Sequence, residues 1–307
     1  MKNKVYLCLI IVFLCFFNLN SAHTFDYLRY SNDNNNLCIG KDNISFTDSL
    51  KQKFIPIIQG VWVLTDYINE IEATQSPIKS MHKLMQPNPM HILDEIVTMV
   101  IDVTNQSDTI NVGASINNHE EYYFTIYSQT GQNDNSLKTN ISSGYGDRYN
   151  FYELSYKTIN NVNYLLLYCY DKTNKLIGTR QFTKVADKQE EEDVAWGIQY
   201  IVNKKLLFGD FLLIDNENAK TQIKFTDDGS VKGFPEFKTY KIVTDFIGDI
   251  IFLEIDIILF RNDKGDLSEY AFQINKDTIY LYSIILHEET GAPFKLDELK
   301  YKLVRYK

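Results

Sequence analysis

The chain has 307 residues, with 31 Lys and Arg against 40 Asp and Glu and a formal net charge of -9. An acidic chain repels phosphate backbones and anionic lipid, which argues against general nucleic-acid binding and electrostatic membrane docking. Apolar residues make up 44% and charged residues 23%, the balance of a globular protein, and 21 Tyr with 19 Phe lean it toward β-structure.

Residues 1–22 read as a secretory signal. Lys2 and Lys4 form the basic start, Val5 to Phe17 is an apolar run too short to span a bilayer, and cleavage is expected after Ser21 or Ala22. A lipoprotein would need Cys15 as its lipidated residue, but Leu14 precedes it where a small residue is preferred. No later stretch approaches ~20 apolar residues, so the mature chain is expected to be exported, periplasmic or extracellular, without a membrane span.

Residues 23–52 form a polar lead, with Asn32, Asp33, Asn34, Asn35 and Asn36 unable to bury surface. From there the chain is read as strands at 57–66, 95–104, 109–116, 121–128, 150–157, 163–171 and 176–186. A second series follows at 206–214, 221–226, 236–246, 250–260, 269–275, 278–286 and 298–306. Turn chemistry at Asp171–Asn174, Asp227–Gly229 and Asn262–Gly265 predicts hairpins, hence antiparallel neighbours. Between the series a helix is predicted over 188–203, capped by Asp187 with Glu190 three residues on. A second helical piece is predicted over 67–86, broken at Pro77.

The two series repeat one opening. Gly60-Val61-Trp62-Val63-Leu64 and Gly209-Asp210-Phe211-Leu212-Leu213 share a Gly, an aromatic two residues on, and a Leu two further. The expected fold class is all-β: two consecutive antiparallel barrels or meanders, 53–187 and 205–307, joined by one helix at 188–204.

Chemistry-bearing patterns are sparse. The sequence has no Gly-x-Ser-x-Gly elbow, Walker loop or His-Glu-x-x-His motif. His119 with Glu121, and His287 with Glu289, share strand faces but offer too few ligands, so no metal or cofactor is expected. Cys38 and Cys169 remain after the signal. Cys169 is read as a small apolar filler, with a Cys38–Cys169 bridge as the alternative. Glu254 and Asp256, on the wet side of 250–260, are the nearest paired carboxylates for a hydrolase; adjacent acids on one strand more often face solvent. Tyr164, Tyr168 and Tyr170 line one strand face, suited to stacking a sugar, holding an apolar ligand, or plain cross-strand packing.

A Gly-x-Trp that opens an antiparallel barrel resembles the lipocalins and the wider calycin group. The chain as a whole is similar to exported lipocalin-like proteins of Bacteroidetes. The resemblance implies that Trp62 closes the barrel floor, with an Arg from a late strand packed on it. Arg180 is the candidate in the first series, and Arg305 takes the corresponding place over Phe211 in the second.

The long connection 67–94, whose counterpart after the second opening at 215–220 is short, reads as a lid, with Met81, Leu84 and Met85 as adaptable contacts. The expectation is an exported, non-catalytic protein that binds a small apolar or amphipathic ligand in a barrel pocket. Its candidate residues are Trp62, Met81, Leu84, Met85, Tyr164 and Tyr168. The alternative is a cell-envelope interaction or structural module with side-chain-filled barrels and an envelope protein as partner.

Overall fold

The computed structural model describes residues 48–84, 96–103, 109–133, 135–143, 149–215, 220–245, 255–286 and 293–306. The signal, most of the polar lead with Cys38, Met85, Glu254 and the His287–Glu289 pattern lie outside the described residues.

Helix α1 (Asp48–Ile58) leads into β1 (Gly60–Leu64). Phe54 and Ile58, four apart, bury one stripe of α1. The expected strand at 57–66 is therefore shorter, since Ile57 and Ile58 belong to the helix. Helices α2 (Thr65–Thr74) and α3 (Pro77–Leu84) follow, with Pro77 in the first turn of α3, where its missing N–H is tolerated. Seven strands complete the first barrel: β2 (Ile96–Ile101), β3 (Thr109–Ile116), β4 (Glu120–Thr130), β5 (Ser136–Ser143), β6 (Asn150–Ile159), β7 (Val162–Asp171) and β8 (Leu176–Ala186). All neighbours are antiparallel, and β8 pairs with β1 to close it.

The connecting helix α4 spans Trp196–Val202 and widens into a π-turn at Asn203–Leu207. The predicted start at 188 is corrected: residues 188–195 are bends and turns. Glu190, Glu191, Glu192 and Asp193 crowd like charges into one turn. Asp193 instead caps the turn before the helix, its Oδ1 accepting from the Ala195 N–H at 2.8 Å. On α4, Gly197 lies against β1 and β2 so closely that a Cβ would come within 2.8 Å of Val61 and Thr98.

The second sheet comprises β9 (Gly209–Asp215), β10 (Lys220–Phe225), β11 (Val231–Lys232), β12 (Thr239–Ile242), β13 (Ile257–Arg261), β14 (Leu267–Asn275), β15 (Thr278–Leu286) and β16 (Pro293–Arg305). It is eight-stranded in the order β11-β10-β9-β16-β15-β14-β13-β12. Its two edges meet at one bridge, where Val231 N–H donates to Lys238 O at 2.8 Å and Tyr240 N–H to Gly229 O at 2.7 Å. The fold is thus two antiparallel barrel-like sheets of eight strands with one helix between them. The three hairpin turns form as their chemistry predicts, with Asn174, Gly229 and Gly265 all at positive φ.

Both barrels contribute to one continuous apolar cluster. Polar ties join them as well. Asn118 Nδ2 donates to Thr244 O at 2.6 Å and to its Oγ1 at 2.9 Å, and the His119 ring lies 2.9 Å from the Asp245 carboxylate. Lys205, in the π-turn, pairs with Glu72 of α2.

Candidate functional site

The first barrel is packed. Trp62, Met99, Phe124, Leu154, Leu165 and Phe182 face inward along the strand register, none more than 2% exposed. Trp62 Nε1 donates to Ile58 O at 2.7 Å, which fixes α1 across that end of the barrel. The second barrel is filled by aromatic rings: Phe237 stacks on Phe260 at 4.8 Å, and Phe225 meets Tyr240 edge-on at 5.0 Å.

The expected floor cation differs in the first barrel. Lys184, not Arg180, pairs with Trp62 across β1 and β8, its Nζ 6.0 Å from the ring centroid. Arg180 shares that face but registers with Leu167, four residues or about 13 Å further along the strand. Its Nη1 lies 3.9 Å from Asp66 Oδ2. In the second barrel Arg305 does sit over Phe211, at 4.5 Å, and caps the π-turn by donating to Phe208 O and Leu206 O.

Of the candidate ligand residues, Trp62 faces the first lumen while Tyr164 and Tyr168 stand outside it. Trp62 is sealed in the first lumen. Met81 is buried on α3 at 1% exposure. Leu84 ends α3, and Met85 lies outside the described residues. Tyr164 and Tyr168 have the parity opposite to the buried Leu165, Leu167 and Cys169, so they stand on the outer face of the barrel. There Tyr168 and Phe151 flank Tyr170, with ring centroids at 6.2 and 5.4 Å.

An open groove of about 510 Å³ lies elsewhere, between the α2–α3 elbow and the second barrel. Gln75, Ser76 and Lys79 line it from the elbow; Asp256, Phe272, Ile274, Tyr280 and Tyr282 are among the residues that line it from the second barrel. The elbow is held in place by its own amides. Pro77 has no N–H, Ile78 N–H donates to Asp256 Oδ1 at 3.0 Å, and Lys79 N–H donates to Ser76 Oγ at 3.3 Å. Asp256 lies 178 positions further along the chain, yet it caps this helix from the other barrel.

That placement corrects the sequence reading of Asp256 as a solvent-facing acid. Ile258 and Phe260, of the same parity, face the inside of the second barrel. Burial pushes the Asp256 carboxyl up to about 6, against the pull of the Ile78 amide, the Ser76 hydroxyl and the charge of Lys79. Tyr67 of α2 lies close enough to be affected. Burial and then the Asp256 charge raise its phenol well above the usual range, and its hydroxyl has no hydrogen-bond partner among the described residues.

Among the described residues no cluster of three metal-ligating side chains forms, and no helix is long and apolar enough to cross a membrane. Comparison with known proteins returns no matching family model, no curated relative and no solved structure.

Proposed function

We propose that this is an exported, lipocalin-like, non-catalytic binding protein whose small amphipathic ligand lies in the groove between the α2–α3 elbow and the second barrel. The observation that carries the reading is the pairing of packed lumens with an open groove of mixed chemistry. A volume of about 510 Å³ falls in the range of small-molecule sites, and the mostly polar lining, with Gln75, Ser76, Lys79 and Asp256, also includes Tyr280, Tyr282 and Leu296, a mixture that suits an amphipathic ligand. A carboxyl displaced from its ordinary range is a further mark of a functional site. The Gly-x-aromatic openings and floor cations support kinship with the exported lipocalin-like proteins of Bacteroidetes, with the ligand moved from the lumen to the junction.

The test is a fluorescence titration with N-phenyl-1-naphthylamine, a neutral apolar probe. The wild type should bind saturably, and Gln273→Trp, which fills the groove, should abolish binding. Binding that survives Gln273→Trp would defeat the groove reading. The packed barrels also support a second reading, an envelope interaction module; absence of any saturable binding would favour it.

A further inference from the structure

We propose that the groove selects a cationic head group: a small amphipathic ammonium compound, its charge on Asp256 and its apolar body against the part of the groove lined by Tyr280 and Tyr282. This rests on the groove being the ligand site, and the experiment below separates the two claims.

Asp256 is the carboxylate that lines the groove. It accepts from the Ile78 amide, yet burial still outweighs every group that favours its charge. At neutral pH it is therefore an ionised carboxylate in surroundings that penalise charge, a condition an added cation relieves. The chain's net charge of -9 concentrates cations near the surface and repels anions.

Among the described residues, Lys79 on α3 acts on the Asp256 charge and Tyr67 on α2 feels it, while Tyr280 and Tyr282 on β15 line the same groove. Lys79 is the competitor. Its side chain is exposed at the rim, on a flexible stem that a bound ammonium can displace. An anionic head drawn to Lys79 would instead face the Asp256 charge in the same groove.

The experiment uses three probes with one body: 4-phenylbutylamine, 4-phenylbutanol and 4-phenylbutyrate. Binding to the full chain is followed at pH 7.5 by methyl NMR at Ile255 and Ile274. The amine should bind about ten-fold or more tighter than the alcohol, and the butyrate weakest. Asp256→Asn should erase the amine's advantage, as should lowering the pH to 5. Lys79→Gln, a change at an exposed position, should tighten the amine several-fold. An alcohol that binds as well as the amine, or a butyrate that binds best, overturns the ammonium claim and leaves the groove standing. If none of the three moves either methyl signal, the groove reading falls with it.

Discussion

Trp62 and Phe211, 149 residues apart in the chain, hold the same place in the two barrels. Each stands two residues after a glycine at positive φ, 130° for Gly60 and 131° for Gly209. Each faces a cation from the last strand of its own barrel, Lys184 or Arg305, at the paired register position. The short sequence repeat therefore marks a structural repeat in which glycine, aromatic ring and cation close one end of an antiparallel barrel.

Trp62→Ala should destabilise the protein by about 3–5 kcal/mol, since it empties a fully buried site and removes the tie to Ile58. Phe211→Ala should lose a similar amount. Urea unfolding of both variants measures this. A loss below ~1 kcal/mol at either position would show that the ring does not close its barrel.

Gly60→Ala should be costlier than Gly209→Ala. Both force a side chain onto a left-handed backbone, a strain of about 1–3 kcal/mol. At Gly60 the new Cβ would also lie 2.7 Å from the Ala186 backbone oxygen, which cannot swing away. At Gly209 the nearest obstacle is the Arg305 Nη1 at 2.7 Å, the end of a flexible side chain. Chemical denaturation of the two variants gives the order; equal losses would contradict it.

Asp256 sets a pH dependence with a definite sign. Its folded-state pKa of about 6 lies above the ordinary value of 3.8. Between these values the folded chain holds more protons than the unfolded one. This contribution is complete below about pH 4 and is lost as the pH rises through about 6, a change on the order of 2–3 kcal/mol. Asp256→Asn should remove that slope and be at least as stable as wild type at pH 7.5. Stability curves of both proteins from pH 3.5 to 7.5 check it. Identical slopes would show that Asp256 is not buried charge.

Asn118→Ala should lower stability by about 2 kcal/mol, because it leaves Thr244 without two donated hydrogen bonds and puts Ala at a φ of 55°. The same urea measurement applies. No loss would mean that this tie between the barrels contributes nothing.

The all-β class, most strands and the three hairpin turns were legible because inward-facing apolar residues alternate along strands such as β7 and β14, and because Asn and Gly mark the turns. Strand β5 is illegible in the sequence because Ser136–Ser143 is mostly polar, with Leu137 and Ile141 as its only apolar residues. Helix α1 was hidden because its apolar residues run directly into β1. The groove was illegible for another reason. Ser76 and Lys79 meet Asp256 across nearly 180 residues, and neither side alone carries a motif. In the sequence Asp256 stands out only as half of an acidic pair with Glu254. Its burial depends on which face of β13 turns inward, and at Ile258 and Phe260 that is the face the pattern across 250–260 had assigned to water.

The most direct test of the account is methyl NMR of the full chain, labelled at Ile and Met, during titration with N-phenyl-1-naphthylamine. Shifts confined to Ile255 and Ile274, with Met99 and Ile126 of the first lumen and Ile223 and Ile242 of the second unmoved, are the predicted result. Saturable shifts at Met99 and Ile126, with Ile255 and Ile274 silent, would place the ligand inside the first barrel and contradict it.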